Sequence, residues 1–354
     1  MKKTNQNIHD GCHITPDWNH FEWWYFDFNL ESHHNVYLEW HAPIFNLRDD
    51  HCILICRTYN NEEYPSSGKD NVVPSVKAFR YHHSTVKQSK SLCRIEFPAG
   101  HIIEEKNKYL IKIQEKNLQA DLRLDRLLPP LISDQEIIYQ SFDAKEYFSW
   151  NIPLPKAKVS GEIQIDHQHI EMAGIAYHDH NWGNLNFGKY LRGWNWARAL
   201  FEDYTFLFGD IVPKEKQKNS QVLVLCDKSG TKIIPEKLNI HYSFSTNQSL
   251  LELTMPDETI ISFQEGKRAY RIHFHVENSI CREEAPLGSH NNHHINALLT
   301  KAYYLFRINA APEILRKYFS RLVYYQTYTR VELFINNQLC DNTYGKFEVL
   351  SFLY

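Results

Sequence analysis

Hydrophobic and polar residues alternate with a period of two along most of the chain, which is the pattern of β-strands that bury one face. Turn-forming pairs such as Asp166-His167, Pro256-Asp257 and Asn336-Asn337 separate the alternating segments. Many short strands with tight links are typical of antiparallel barrels and sandwiches, so we predict an all-β protein. The predicted strands are Phe21–Leu30, Val36–Leu47, Cys52–Tyr59, Tyr109–Gln114, Leu118–Leu124, Lys158–Ile165, His169–Ala176, Tyr190–Leu200, Tyr204–Val212, Gln221–Cys226, Leu250–Met255, Thr259–Gln264, Tyr270–Val276, Thr329–Ile335 and Lys346–Leu353.

One segment near the C-terminus departs from this alternation and predicts a helix. Over Ala311–Tyr325, apolar residues recur at helical spacing behind Pro312. These residues are Ile314, Tyr318, Leu322 and Tyr325. No other segment of the chain gives a credible helical pattern.

The chain has 354 residues, more than one ordinary hydrophobic core accommodates. We therefore expect two β-domains, residues 1–188 and 189–354. The boundary is placed close to the densest cluster of polar and aromatic residues.

Charge and cysteine content narrow the class of partner. The formal net charge is −3 with both signs dispersed, so nothing favours a nucleic acid or an anionic membrane surface. Seven cysteines without a CxxC pair indicate reduced thiols and a cytoplasmic protein.

Met1–Asp10 lacks the apolar core of a signal peptide, and no run of about 18 apolar residues predicts a membrane span. The oligomeric state stays open.

Aromatic residues make up 14% of the chain, and six of the eight tryptophans fall in two groups. The groups are Trp18, Trp23 and Trp24, and Trp182, Trp194 and Trp196. Clustering of this kind favours an aromatic-lined cavity for an apolar ligand, although two aromatic-rich cores give a similar pattern.

The most distinctive segment is Tyr177-His-Asp-His-Asn-Trp-Gly183, at the end of a predicted strand. Alternation places His178 and His180 on one face and Tyr177 and Asp179 on the other. A carboxyl group at the end of an apolar wall has a raised pKa because it loses solvation, which suits a general acid. Asp179 is the expected acid, with hydrogen bonds from the flanking histidines holding it in place.

Three neighbouring strands carry further candidates. Tyr204, Phe206 and Asp210 share one face of their strand, and Trp194 and Trp196 share a face of the preceding strand. In the first strand, alternation separates a face with Glu22 and Trp24 from a face with Trp23. Aromatic faces stabilise a passing cation through their quadrupoles.

A metal site is the main chemical alternative. The pair His178-x-His180 is repeated at His167-x-His169 and His273-x-His275, which is the alternation of metal ligands on a strand. No glutamate follows the first pair within residues 184–190, so we expect no metal. Glycine-rich nucleotide motifs and GxSxG are missing from the sequence, so we expect no organic cofactor. The simplest alternative is that these side chains only fill a core.

Several motifs resemble the carotenoid 1,2-hydratase (hydroxyneurosporene synthase) and AttH-like family. They are Glu22-Trp-Trp-Tyr25, Gly174-x-x-Tyr177-His-Asp-His-Asn-Trp-Gly183, Gly193-Trp-x-Trp196, Tyr328-Thr-Arg-Val331 and Gly345-x-x-Glu348. The resemblance implies two lipocalin-like β-barrel domains with a hydrophobic ligand cavity and no metal or organic cofactor. Family members add water to isoprenoid double bonds by protonation and relatives cyclise terpenoids. Similar lipocalin-like proteins catalyse intramolecular Diels–Alder reactions.

Together these observations predict a cofactor-independent enzyme for an apolar polyene or isoprenoid, acting by acid-initiated hydration or cyclisation. A Diels–Alderase and a non-catalytic lipid-binding protein are the alternatives. The candidate catalytic residues are Asp179, His178, His180, Tyr204, Asp210 and Glu22. The candidate substrate-binding residues are Trp23, Trp24, Trp182, Trp194, Trp196 and Phe206.

Overall fold

A computed structural model describes most of the chain. The described residues are 10–13, 20–32, 34–42, 51–60, 75–131, 137–214, 218–244, 253–276, 281–287 and 320–353. They form two structural units. The first comprises the described residues of Met1–Thr58, Ser75–Ile137 and Glu146–Asn184, and the second comprises those of Tyr59–Pro74, Ile138–Lys145 and Leu185–Tyr354. The domain boundary at residue 188 stays a prediction.

The described residues are almost entirely strands. The first thirteen are β1 (Phe21–Leu30), β2 (His34–His41), β3 (His51–Asn60), β4 (Ser75–His82), β5 (Lys87–Gln88), β6 (Arg94–Phe97), β7 (Gly100–Glu105), β8 (Lys108–Glu115), β9 (Leu118–Arg126), β10 (Ile137–Gln140), β11 (Tyr147–Ile165), β12 (Gln168–Glu171) and β13 (Gly174–Gly183). After the one-turn helix α1 (Phe187–Tyr190), the others are β14 (Leu191–Leu200), β15 (Tyr204–Pro213), β16 (Ser220–Asp227), β17 (Lys232–Ile233), β18 (Glu236–Ser243), β19 (Glu258–Glu265), β20 (Arg268–His275), β21 (Cys281–Leu287), β22 (Ser320–Ile335) and β23 (Gln338–Leu353).

The first unit is an antiparallel sheet that curls on itself. Its strands follow the order β4-β3-β2-β1-β13-β11-β9-β8-β7-β6-β5, with β12 paired to β11. The two end strands, β4 and β5, are consecutive in the chain and joined only by a 3-10 turn at His83–Thr85. Because so short a link holds the edge strands near each other, the sheet curls into a barrel-like form.

The second unit repeats the plan. Its order is β17-β16-β15-β14-β23-β22-β20-β19-β18, with β21 paired to β22, and only residues 234–235 separate its end strands. In both units the first strand pairs with the last one, β1 with β13 and β14 with β23. The fold is therefore all-β and consists of two lipocalin-like antiparallel barrels.

Alternation decides which side chains fill each barrel. In β1, Trp24, Phe26 and Phe28 belong to the first core, together with Ala176 of β13. In β15, Phe206 and Phe208 belong to the second core. Side chains one position away point out of the barrel.

The predicted helix Ala311–Tyr325 is wrong where the structure describes it. Residues 320–325 begin β22, which pairs with both β21 and β23, and residues 311–319 lie outside the described residues. The segment from Val323 to Thr329 is rich in β-branched and aromatic residues, which favour a strand. The helical spacing of Leu322 and Tyr325 is coincidental.

Two other boundaries differ from the predicted ones. The predicted strand His169–Ala176 is interrupted between β12 and β13, and Leu253–Met255 lies outside any strand. No described helix is long and apolar enough to cross a membrane.

Candidate functional site

The densest polar cluster lies inside the first barrel, where β1 and β13 pair. The register sets Glu22 opposite Trp182 and Trp24 opposite His180. His178 and His180 share the inward face of β13 with the core residue Ala176. All of these polar side chains are buried.

Glu22 is the hub of this cluster. Its Oε1 accepts a hydrogen bond from the backbone N–H of His13 at 2.7 Å and lies 2.9 Å from Nε2 of His180. Its Oε2 lies 3.3 Å from Sγ of Cys12 and 3.4 Å from Nε2 of His20. Burial raises the pKa of Glu22, but hydrogen bonds from the three histidines outweigh burial and hold that pKa well below its ordinary value. Glu22 is a buried carboxylate.

His180 lies between two carboxylates. Besides Glu22, it faces Asp10, whose Oδ1 is 3.1 Å from Nδ1 of His180, a charge contact without hydrogen-bond alignment. The Trp24 ring stacks on the imidazole with centroids 4.2 Å apart. Burial lowers the pKa of His180, yet the two carboxylates raise it to about 9. His180 is therefore an imidazolium at neutral pH, and a tryptophan face supports its charge.

Asp10 continues the cluster to His178. Nε2 of His178 is 2.8 Å from Oδ2 of Asp10, and its Nδ1 is 3.0 Å from the carbonyl oxygen of Tyr25. Both ring nitrogens of His178 therefore face acceptor oxygens. Burial raises the pKa of Asp10, but His178 and His180 bring it well below its ordinary value. Tyr109 donates its hydroxyl to the same oxygen at 2.9 Å.

The cluster reaches the surface at His13. The side chain of His13 is 32% exposed, whereas those of His178 and His180 are buried completely. Its ring stacks flat on Trp182 with centroids 3.9 Å apart, and its Nδ1 lies 3.3 Å from Glu22. Histidines and carboxylates thus alternate from the buried end to a half-exposed imidazole, an arrangement able to hold and move protons.

Two sets of metal-ligand atoms occur in this cluster, and hydrogen bonds already engage members of both. One set is His13, Glu22 and His180, in which Nε2 of His180 is hydrogen-bonded to Glu22. The other set is Asp10, Cys93 and His178. Burial raises the pKa of the Cys93 thiol well above its ordinary value, and a protonated thiol is a poor ligand. The hydrogen bonds among these groups suit proton transfer.

Asp179 lies on the opposite face of β13. Its Oδ2 accepts hydrogen bonds from Trp150 Nε1 at 3.0 Å and from the Tyr177 hydroxyl at 2.8 Å. Its Oδ1 accepts one from Asn181 at 2.8 Å. The expectation that its flanking histidines hold Asp179 is wrong, because residues one position apart on a strand point to opposite faces. Three donors stabilise a carboxylate, so this setting suits an acceptor better than a proton donor.

The predicted aromatic residues also divide between faces and units. Trp24 and Trp182 lie with the cluster, whereas Trp23 points out of the first barrel, 5.9 Å from Phe148 between ring centroids. Trp194 and Trp196 point out of the second barrel, since their neighbours in β14 fill its core. Within the first barrel, Trp23 therefore lies on the face opposite to Trp24 and Trp182, and the pocket stays a prediction.

The remaining candidates belong to the interior of the second barrel. Phe206 lies in its core and Tyr204 packs against it. Asp210 is buried and accepts hydrogen bonds from Tyr242 at 2.9 Å and from Gln221 at 3.2 Å. This is a satisfied polar network, separate from the histidine cluster.

Sequence reasoning missed two members of the cluster, Asp10 and His13. They lie in an N-terminal segment without strand periodicity, so no pattern assigns them to a face. The signal available was composition, since a carboxylate and a histidine precede the first strand closely.

Comparisons with known proteins agree with this architecture. A model of the AttH-like family matches residues 73–286, more than half of the chain. A crystal structure assigned to AttH from Nitrosomonas europaea is similar with a TM-score of 0.59 and 15% identity, covering 93% of this chain and 92% of that one. Among curated proteins, none matches.

Two further solved structures share the fold. CghA with Sch210972 has a TM-score of 0.62 and 10% identity, covering 95% of this chain and 89% of that one. Kievitone hydratase from Nectria haematococca has a TM-score of 0.56 and 11% identity, covering 93% and 88%. Identities this low show the fold alone, but the family model spans most of both sheets. The chain belongs to the AttH-like family.

Proposed function

We propose that this protein is a cofactor-independent enzyme that hydrates or cyclises an apolar polyene or isoprenoid by protonating a double bond. The observation that carries the proposal is the buried His180 imidazole between the carboxylates of Glu22 and Asp10, connected to the half-exposed His13. Proton transfer from a positioned side chain is what such chemistry requires.

The energetic cost of the cluster supports a functional role. Buried charges lose solvation by several kcal/mol each, and apolar side chains of similar volume often stabilise a core better. A purely structural alternative is that Asp10 and Glu22 fasten residues 10–13 to the barrel. That alternative explains the hydrogen bonds to Asp10 but not the half-exposed histidine stacked on Trp182.

In the proposed reaction, His13 delivers a proton from its Nε2 to one carbon of the double bond. The positive charge forms on the other carbon, next to the face of Trp182, whose quadrupole stabilises it. Water then adds and loses a proton, or a second double bond attacks and a neighbouring C–H releases one. His13 takes up the released proton, so the enzyme returns to its starting state.

Glu22 and His180 are proposed to act behind His13. Glu22 orients the imidazole through Nδ1, and His180 holds Glu22 ionised in a buried site. Asp10, which is hydrogen-bonded to His178, helps to raise the pKa of His180 in turn. Asp179, with its three donors, is proposed as a structural acceptor rather than as the acid.

The similar solved structures support the general class of function and not the specific reaction. One solved neighbour is a hydratase by name and another contains a bound small molecule, which agrees with a small-molecule substrate here. The six cysteines whose side chains the structure describes are free, which supports a cytoplasmic location.

The test is incubation of the protein with candidate polyenes and prenylated compounds in D₂O, followed by mass spectrometry. Protonation at carbon places one deuterium in the product and supports the proposal. A cyclic product without deuterium indicates a Diels–Alder reaction. Recovery of every compound unchanged, with binding detected, favours a carrier protein and contradicts the enzymatic role.

A further inference from the structure

A second cluster of histidines and carboxylates lies on the outer face of the second barrel. His273 and His275 alternate along β20 with residues of the core, so both imidazoles point away from it. Glu258 of β19 is directly opposite His275, and Glu332 of β22 is directly opposite His273. Three neighbouring strands thus contribute to one patch.

Three donor atoms converge in this patch without hydrogen bonding to one another. Oε1 of Glu258 lies 3.7 Å from Nε2 of His273 and 3.8 Å from Nδ1 of His275, too far for hydrogen bonds. Nε2 of His273 is buried and has no hydrogen-bond partner in the described part of the chain. The two imidazole centroids are 3.6 Å apart. Electron-rich atoms in this arrangement attract a cation between them.

Glu332 fixes the tautomer of His275. Its carboxylate Oε2 is 2.8 Å from Nε2 of His275 and can only accept, so that nitrogen carries the proton. The lone pair of His275 is therefore on Nδ1, the atom that faces Glu258. A carboxylate bound to the far side of a histidine is the usual support of a metal-binding imidazole. Arg330, 3.2 Å from the other oxygen of Glu332, balances its charge.

We propose that Glu258, His273 and His275 bind a zinc ion, with Glu332 orienting His275. Tetrahedral zinc with bonds of about 2.0–2.1 Å spaces its ligand atoms roughly 3.3 Å apart. Small side-chain rotations shorten the observed separations of 3.7 and 3.8 Å to that value. Nitrogen and carboxylate donors favour zinc over calcium and magnesium. Three protein ligands leave the fourth position to water, as in catalytic zinc sites.

This site differs from the cluster of the first barrel in one respect that matters for binding. There, facing donor atoms are hydrogen-bonded to one another, as His180 is to Glu22, whereas here the three facing atoms have no hydrogen bond among them. The zinc site is independent of the proposed acid chemistry.

The experiment is titration of metal-free full-length protein with zinc chloride against a chromophoric chelator, repeated with cobalt chloride to record the visible bands of tetrahedral Co²⁺. The variants are Glu258→Gln, His273→Ala and Glu332→Gln. The matched control is His169→Ala, because His169 pairs with Glu162 at 2.9 Å on the exposed surface of the first barrel. Circular dichroism verifies that each variant folds. Because Glu258 is half-exposed, we expect the isosteric Glu258→Gln to leave the fold unchanged.

We expect one zinc per chain in the wild type and in His169→Ala, with the tetrahedral cobalt spectrum. Glu258→Gln and His273→Ala lose the site, and Glu332→Gln weakens zinc binding by about 10–100-fold. Unchanged zinc affinity in folded Glu258→Gln and His273→Ala overturns the proposal, as does a wild type that binds no zinc.

Discussion

The charge of His180 depends on residues far from it in the sequence. The motif around residue 180 and Glu22 were identifiable from the sequence because both lie on strongly alternating strands. Asp10 and His13, which complete the cluster, have no periodic neighbours and were not predicted. Alternation correctly separated His180 from Asp179, but it does not tell which face is inside. The assignment of the acid to Asp179 rested on that missing information.

The ionisation of the cluster predicts how stability depends on pH. The pKa of His180 is about 9 in the folded protein and near 6.5 in an unfolded chain. The folded state thus binds more protons between those values, and stability falls as pH rises through that window, by about 3 kcal/mol at most. Glu22 and Asp10, with lowered pKa values, cause a second loss of stability in acid, below about pH 4.

Urea denaturation from pH 3 to 10 measures this dependence. The variant His180→Gln serves as the comparison, because it removes the group with the raised pKa. We expect a flatter profile between about pH 6.5 and 9 for this variant. Identical slopes in both proteins would show that His180 is not protonated in the folded state.

At the level of elements, alternation predicted most strands of both barrels, and β22 is the instructive failure. Apolar residues at helical spacing were read as a helix in a segment whose composition favours a strand, because sheet pairing with β21 and β23 cannot be seen in one sequence. The turn between β12 and β13 was missed for a similar reason. Met172 continues the apolar face across it, so the periodicity hides the break.

The end of β13 depends on Gly183. Its φ is +156°, and a Cβ there would lie 2.2 Å from the carbonyl oxygen of Tyr147. Gly266, in the turn between β19 and β20, has φ +57° and open space around it. A side chain is strained at both positions because φ is positive, but only at Gly183 would its Cβ also collide with backbone atoms.

We therefore expect Gly183→Ala to lower the free energy of unfolding by more than 2 kcal/mol, roughly the strain of a disfavoured backbone plus displacement of β11. Gly266→Ala costs about 1–2 kcal/mol. Urea unfolding of both variants at pH 7 compares them. A smaller loss for Gly183→Ala than for Gly266→Ala contradicts the close packing of β13 on β11.

In the whole molecule, two barrels with the same strand plan carry different interiors. The first contains the charged histidine cluster, and the second contains the satisfied network around Asp210. The resemblance of the motifs gave the two-barrel fold, which the structure confirms. It did not indicate which of the predicted aromatic side chains point into a barrel, because alternation does not tell which face of a strand lies inside.

This division predicts which tryptophan responds to an apolar ligand. If substrate binds beside His13, Trp182→Phe weakens binding by about tenfold or more, since it removes the stacked aromatic surface. Trp194→Phe, on the outer face of the second barrel, changes binding little. Titration with a polyene, monitored by tryptophan fluorescence, separates them. A loss in Trp194→Phe with normal binding by Trp182→Phe moves the ligand to the second barrel.

The most direct test compares the two buried carboxylates of the β1–β13 pair in the reaction identified by the deuterium assay. Initial rates are measured for wild type, Glu22→Gln and Asp179→Asn, and folding is verified by circular dichroism. Loss of the carboxylate behind His13 removes a positioned acid–base system, so we expect Glu22→Gln to lower kcat by about 10²–10⁴-fold. Asp179→Asn keeps most of the activity. A large loss in Asp179→Asn, with Glu22→Gln near wild type, contradicts the histidine cluster as the proton source and assigns the acid to the outer face of β13.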